Sequence, residues 1–294
     1  MKGLLIIAIA ICSIYLTSAN PWPKDFTEEE NDDVFDLTED AELMQLGMQL
    51  FDDKNNEMPI FDERFDDMPS HCKTNSSSPS PVPKNCAEAT ACTRRSGYYY
   101  IKLNAIGNNS FLVECDAHND GGDWLVFQRR LDGSQSFFRT WSQYREGFGE
   151  IEGEYFLGMD KLHALTNFDG RQEMMILFER NDATTSYAKY SSFAVGNNTE
   201  SFELKRVGRY TGTAGDSLQA HVGGKFSTMD KDNGNTNPNM AITYSSAWWY
   251  KNNRVSDLNG LFGKTDTTGL FWTGFHLGGK YIKTVKMMIR RYRV

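Results

Sequence analysis

FLVECDAHNDGGDWLVFQRRLDGSQSFFRTWSQYREGFGEIEGEYFLGMDKLHALT, residues 111–166, contains two strand-like runs followed by two short helical ones, with glycine-rich breaks between them. FLVEC and WLVFQRR are dense in aliphatic and aromatic side chains, and the HNDGGD that separates them is turn chemistry. WSQYREGF and MDKLHALT are the best helical candidates in the chain, and both are short. More strand-like runs flank the stretch on both sides: GYYYIKL from residue 97, MMILFER from 174, FELKRV from 202 and YIKTVKMMIRRY from 281. In the last of these, alternation sets Tyr281, Lys283 and Val285 against Ile282, Thr284 and Lys286. The pattern predicts an α+β domain on an antiparallel sheet with much irregular loop. Residues 210–280, dominated by Gly, Asn, Ser, Thr and aromatics, offer few regular ladders, so loop packing, bound ions or both must hold them.

Upstream, the chain changes character near Cys86. The formal net charge is −8 over 294 residues, but it is unevenly spread. Residues 20–85 hold 17 Asp and Glu against 5 Lys and Arg, a net of −12, whereas residues 86–294 hold 22 against 25, a net of +3. Neither part concentrates the positive charge that a nucleic-acid partner requires. Residues 20–68 lack a sustained apolar pattern and are expected to be mostly disordered. Their one exception is Leu37, Ala41, Met44, Met48 and Phe51, a stripe that predicts a short helix over 37–51, weakened by Gly47. Residues 69–85 form a Ser/Pro-rich linker. At the start, Lys2, the apolar run from Leu4 to Leu16 and the small residues Thr17 and Ala19 have the form of a secretory signal peptide over residues 1–19. That apolar run is shorter than the ~20 residues needed to cross a bilayer, and no other segment is long and apolar enough, so a secreted, extracellular protein is expected.

Removing the leader takes away Cys12 and leaves Cys72, Cys86, Cys92 and Cys115, an even number in an oxidising compartment, so disulfides are expected in one of three pairings. A zinc site is disfavoured, because no C-x-x-C is present and His71 is the only histidine nearby. Three N-x-S/T sequons, at Asn75, Asn108 and Asn197, predict N-glycosylation.

For catalysis the sequence offers one lure, Gly215-Asp216-Ser217-Leu218, the four-letter signature of a serine esterase group. It lies deep in the domain, and the one Asp followed three residues later by His, Asp160 with His163, precedes it instead of closing the domain, so it reads as a turn. His118, His163, His221 and His276 are scattered singly, and no phosphate cradle or zinc helix is present; a non-enzyme is expected. The strongest inorganic signal is Asp230-Lys231-Asp232-Asn233-Gly234-Asn235-Thr236, in which two carboxylates at i and i+2 precede a polar turn. Such a run either wraps a hard cation, as calcium requires, or is a solvated Asn/Gly turn.

NCAEA at 85–89, GYYYIKL, the 111–166 stretch, YAKYSSFAVG, YTGTAGDSL, KFSTMDKDN, AWWY and LNGLFG together resemble the fibrinogen C-terminal domain, the module of ficolins, tachylectin-5-like lectins, tenascins and angiopoietin-like secreted proteins. The resemblance runs from about Asn85 to Arg290 and sets the domain at residues 86–294. It implies an N-terminal disulfide subdomain, a central antiparallel sheet with short helices, and a loop-rich C-terminal subdomain with calcium and ligand sites. By position, Cys86 and Cys115 match the family's first disulfide, whose loop closure contributes about 3 kcal/mol. Cys72 and Cys92 then either pair with each other or link chains into a homo-oligomer. The resemblance assigns the calcium ligands to the side chains of Asp230 and Asp232 and the carbonyls of Gly234 and Thr236.

The chain also departs from the family. Its second disulfide would join the positions of Met240 and Asn253, so that staple is missing. The non-proline cis peptide that shapes an acetylated-sugar pocket beside it would fall at Asn252–Asn253. Arg254 stands where a pocket histidine is usual, which favours an anionic ligand, and Tyr244 stands where fibrinogens place an acidic residue. The implied pocket comprises Tyr244, Asn252, Asn253, Arg254, Trp272, Phe275 and His276. The expected function is non-catalytic recognition of extracellular glycans or microbial surfaces by a calcium-supported, lectin-like head in innate immunity. The alternative is an angiopoietin-like ligand that binds a cell-surface receptor protein.

Overall fold

The computed structural model describes residues 82–293, apart from 108, 235, 236, 252 and 276–280. The leader, the acidic arm with its 37–51 helix, most of the linker, Cys72, Asn75, Asn108, Thr236, Asn252 and His276 lie outside the described residues.

The domain starts with helix α1 (Cys86–Thr90), capped by Asn85, whose side chain accepts the Glu88 N–H at 3.1 Å. Its first residue is bound to Cys115 (S–S 1.98 Å) on strand β2 (Phe111–Asp116), so the family pairing holds. Cys92 is disulfide-bonded as well. β2 pairs antiparallel with β1 (Gly97–Ile101) and with β3 (Trp124–Arg130). Between β2 and β3, Asp116 Oδ1 accepts the N–H groups of His118 and Asn119 at 3.0 and 2.9 Å, and the chain turns through Gly121 and Gly122. Gly122 has φ +81°, and a Cβ there would stand 2.5 Å from the Ala117 carbonyl oxygen. Gly122→Ala is therefore expected to lower stability by at least about 2 kcal/mol in chemical denaturation.

The two sequence-predicted helices form at their expected places. α2 (Trp141–Glu146) opens with a capping box between Thr140 and Gln143, and α3 is Met159–Phe168. The short strands β4 (Phe148–Gly149) and β5 (Tyr155–Phe156) lie between them and join the sheet at β3. β6 (Gln172–Arg180), β7 (Thr185–Val195), β8 (Leu204–Val207) and β9 (Tyr210–Gly212) extend it. The last strand, β12 (Ile282–Arg291), fills the middle, giving the order β1-β2-β3-β12-β6-β7-β8 with every pair antiparallel.

One face of the sheet carries the main core, including Phe127, Phe156, Phe178, Tyr190 and Phe193. The other has a smaller cluster of Trp124, Val126, Tyr155, Met175 and Met288. The strict alternation expected for residues 281–286 fails. A register shift between Ile282 and Thr284 puts both Ile282 and Val285 into the main core, because the extra residue of a bulge resets which face the next side chain meets.

Among the described residues of 213–281, regular structure is limited to the 3-10 turns Gln219–His221 and Thr273–Phe275, a one-turn helix, α4 (Met240–Thr243), and the paired two-residue strands β10 (Ser256–Asp257) and β11 (Phe271–Trp272). What holds this loop region is aromatic packing: Phe226, Trp248, Trp249, Tyr250 and Trp272 are buried in the main core. Most of their polar atoms are used, although the Trp248 indole N–H has no partner among the described residues. The Trp249 indole donates to the Phe202 carbonyl at 2.7 Å and the Trp272 indole to the Gly215 carbonyl at 3.0 Å. The C-terminal end of β3 grips the same region: Gln128 donates to the Leu258 carbonyl and Arg130 to the Gly260 carbonyl, both at 2.8 Å. Among the described residues no helix is long and apolar enough to cross a membrane.

Candidate functional site

The 226–234 segment leaves the core at buried Phe226 and is fixed by its own polar residues. Ser227 exchanges backbone hydrogen bonds with Trp248 at 2.9 and 3.2 Å, and its hydroxyl accepts the N–H groups of Asn233 and Gly234. Asn233 donates to the Phe226 carbonyl at 2.7 Å, and Asn239 donates to the Thr228 carbonyl at 3.1 Å. These side chains hold Asp230 and Asp232 out on an exposed turn. Asp230 Oδ1 accepts the Trp141 N–H at 2.8 Å, at the start of α2, and the Thr228 hydroxyl at 2.7 Å. Asp232 Oδ1 accepts the Gly234 N–H at 3.0 Å. The second oxygen of each carboxylate has no hydrogen bond among the described residues, and neither carboxylate is ion-paired there. Lys231, which lies between them, has its ammonium over the Trp141 ring at 3.9 Å. Two unpaired carboxylates with backbone carbonyls form an all-oxygen donor set, which fits a hard divalent cation. Thr236, the fourth residue of the implied set, lies outside the described residues.

Arg254 is placed differently from the sequence expectation. Its guanidinium lies 4.7 Å from the centres of both the Tyr244 and Phe271 rings, and it donates to the Gly269 carbonyl. Its Nε stands 3.5 Å from Asp257 Oδ2, an ion pair too long for a hydrogen bond. With 8% of its side chain exposed, this cation is already matched by a buried carboxylate. The anionic ligand expected from Arg254 is thereby corrected: its charge serves an internal pair and faces little solvent. Asp257 is fully buried and also accepts the hydroxyls of Ser246 at 2.6 Å and Tyr250 at 2.5 Å. Burial pushes its carboxyl up from the ordinary value, against the opposing effects of Arg254 and the two hydroxyls.

The structure brings Tyr244 and Arg254 together, with exposed Asn253 beside them in the chain, and links them through the Ser227–Trp248 bridge to the Asp230 turn. It does not bring in Trp272 or Phe275. Both rings pack on Phe178 in the main core, at 5.1 and 5.3 Å, so they support the region from below and do not line a pocket with Arg254. Sequence reasoning missed Phe271, Asp257, Ser246 and Tyr250; the one local signal was an acid three residues after Arg254.

A second buried group holds the same loops. His221 Nε2 accepts the Ser256 N–H at 3.0 Å, which leaves the hydrogen on Nδ1, 2.8 Å from the Trp249 carbonyl oxygen. Burial lowers its pKa to about 4, with Lys251 adding to the effect and the Trp249 hydrogen bond opposing it.

Ser217 is a turn residue, as the sequence suggests. It is buried, its hydroxyl accepts the Gly274 N–H at 3.2 Å, and Asp216 caps the next turn by accepting the N–H groups of Leu218 and Gln219. Among the described residues, no histidine is a hydrogen-bond partner of Ser217. Asn197 caps a short turn, its side-chain Oδ1 accepting the Glu200 N–H at 3.0 Å and the Thr199 hydroxyl at 2.7 Å. Its Nδ2, the atom that a glycan would join, has no hydrogen bond among the described residues.

Comparisons with known proteins agree with this architecture. Residues 82–292 match the profile of the family described as fibrinogen beta and gamma chains, C-terminal globular domain. Tenascin-R of Gallus gallus is 42% identical over 200 residues, which is 67% of this chain and 14% of the relative. Ryncolin-4 of Cerberus rynchops is 42% identical over 193 residues, 63% of this chain and 55% of the relative. The chain thus spans only a seventh to about half the length of these curated relatives. Among solved structures, the fibrinogen-like globe domain of human ANGPTL2 matches with a TM-score of 0.66 and 37% identity, over 72% of this chain and all of that one. With the disulfide, the centrally inserted last strand and the sequence match all in place, the chain belongs to the fibrinogen C-terminal domain family.

Proposed function

We propose that this protein is a secreted, non-catalytic recognition protein that meets its extracellular partner through the loop region around residues 226–276, with calcium holding the Asp230 turn. The observation that carries this reading is the pair of exposed carboxylates on a turn that is pinned to α2 and to the Trp248 segment, with Lys231 drawn away onto Trp141. A bound calcium ion would supply charge neutralisation and fix the carbonyls of the turn. Asp230 and Asp232, with the carbonyls of Gly234 and Thr236, would hold it. Two side-chain carboxylates imply a modest affinity, suited to extracellular calcium levels. Thermal melting of the secreted protein with and without calcium tests this. A rise of a few degrees with calcium is expected, lost in Asp230→Ala and Asp232→Ala; equal melting in every sample would remove the site.

Two partner classes follow. In the lectin-like reading, the loops recognise glycans or microbial surfaces, in keeping with the family resemblance to ficolins. In the other reading, the partner is a cell-surface receptor protein, and the fate of Arg254 favours it. A guanidinium held between Tyr244 and Phe271 and bound to Asp257 fills the position around which an acetyl-group pocket would be built. A glycan and bacterial-surface binding screen with calcium present, run beside saturation binding to cells, separates them. Saturable, protease-sensitive cell binding with a blank glycan screen is the expected outcome. Calcium-dependent glycan binding would return the lectin reading to first place.

A further inference from the structure

Away from the loop region, a recess of about 400 Å³ opens where the start of the domain meets the end of α3, lined by Lys84, Lys102, Leu103, Phe168, Asp169 and Arg291 among others. Two hydrogen bonds assemble it. The Lys102 N–H donates to the Pro83 carbonyl at 2.9 Å, and the Asn85 side chain donates to the Asp169 carboxylate at 3.2 Å, which sets Lys84 beside the C-terminal end of α3. The carboxylate in the lining is already used, since Asp169 also takes the Arg291 guanidinium. Glu88, just outside, accepts the Lys84 backbone N–H at 2.9 Å. The Lys84 and Lys102 ammonium groups have no ion pair among the described residues, so two positive charges border the recess uncompensated.

Phe168, in the same lining, is 67% exposed, more than any other large apolar side chain described. Val82 at 45%, two residues before Lys84, and Ile106 at 37%, next to the lining residue Ala105, add exposed apolar surface. A polar anion alone would leave the ring wet, and an apolar surface alone would cover two ammonium groups without a counter-charge. Both needs are met by one occupant that combines carboxylates with an apolar side chain. We infer that this recess is a docking site for an acidic peptide segment of a partner protein, with an apolar side chain set against Phe168 and its carboxylates on Lys84 and Lys102. The site is separate from the loop region of the proposed recognition function and stands whether or not that reading holds.

The probe is a fluorescein-labelled peptide of alternating Asp and Leu with a central Phe, titrated into the full secreted protein and followed by fluorescence polarisation. Saturable binding is expected, weakened about tenfold or more by Lys84→Glu combined with Lys102→Glu, since two exposed ion pairs are lost and reversed. Phe168→Ser is expected to weaken it about fivefold or more by removing apolar contact area, and high salt to weaken it further. All three side chains are at the surface, so melting temperatures matching the parent confirm that the variants are folded, and Phe168→Ser leaves every charge in place. The proposal is overturned by the absence of saturable binding, by parent-like binding in the charge-reversed variant, or by equal binding of a control peptide with Ser in place of every Leu and Phe. That last result would mean charge attraction without a docking site.

Discussion

Arg130→Ala is expected to destabilise the domain by about 3–5 kcal/mol, because it leaves a buried carboxylate without its counter-charge. The Arg130 and Glu154 side chains are 1% and 0% exposed, with Nε 3.4 Å from Oε1. The guanidinium also lies on the Phe137 ring at 3.9 Å and donates to the carbonyls of Leu258 at 3.2 Å and Gly260 at 2.8 Å. Glu154 in turn accepts the N–H groups of Leu131 at 2.8 Å and Gln135 at 3.0 Å. Truncation thus strands Glu154 and takes the Arg130 hydrogen bond from the Gly260 carbonyl in one step, while the Leu258 carbonyl keeps its bond from Gln128. At ~2–4 °C per kcal/mol for a domain of this size, the melting temperature should fall by roughly 6–20 °C. Arg130→Lys should recover only part of the loss, since an ammonium cannot reach the carboxylate and both carbonyls in the fork geometry of a guanidinium. Arg130→Met combined with Glu154→Gln should be milder than Arg130→Ala alone. Chemical denaturation of the four proteins checks the order; a loss under 1 kcal/mol for Arg130→Ala would show that Glu154 finds another partner.

Acid should weaken the fold through His221. Its folded pKa is about 4, below the ordinary histidine value of 6.5, so between those values the unfolded chain binds the extra proton. The stability from neutral His221 is complete above pH 6.5 and is lost as pH falls through about 4. The displacement corresponds to about 3 kcal/mol. Structurally, a proton on Nε2 displaces the Ser256 N–H and puts a charge among buried tryptophans. Asp257 acts in the opposite sense: burial raises its pKa, so protonation there favours the folded state as pH falls. Asp116, whose pKa is lowered by backbone hydrogen bonds that outweigh its burial, adds to the acid sensitivity. His221→Gln keeps a donor and an acceptor but does not titrate. The stability difference between pH 7 and pH 4, from denaturation at each pH, should shrink by about 3 kcal/mol in that variant. An unchanged difference would assign the acid response to the carboxylates.

The strand runs from Gly97 to Arg180 and the two short helices were legible because each combines local periodicity with visible caps or turns; Thr140 with Gln143 and HNDGGD are examples. β7, the longest strand, was missed as an element. Its sequence TSYAKYSSFAV dilutes the apolar signal with hydroxyls and alanine, although Ala188, Tyr190, Phe193 and Val195 are all buried. The Asp230 turn was legible from Asp, Asn and Gly alone, since turn chemistry is local. What surrounds Arg254 was not. Its environment depends on Tyr244, Asp257 and Phe271, which come together only after β10 pairs with β11 and Ser227 bridges to Trp248. A substitution can be seen in sequence, but the neighbours that absorb its charge are a property of the folded chain.

The position of β12 constrains how the domain can be made. A chain released from the ribosome from its N-terminus has β3 and β6 long before Ile282–Arg291 exists, and each presents an open hydrogen-bonding edge toward the other. Those two half-sheets can join only after Ile282–Arg291, which follows both of them in the chain, has emerged. The nascent domain must therefore wait, with its central seam unfilled, for contacts between residues that are far apart in sequence, the kind that slow folding and leave strand edges open to misassembly. The Cys86–Cys115 disulfide, by contrast, can close under oxidising conditions as soon as β2 is out, which would secure one end of the sheet while its middle is still missing.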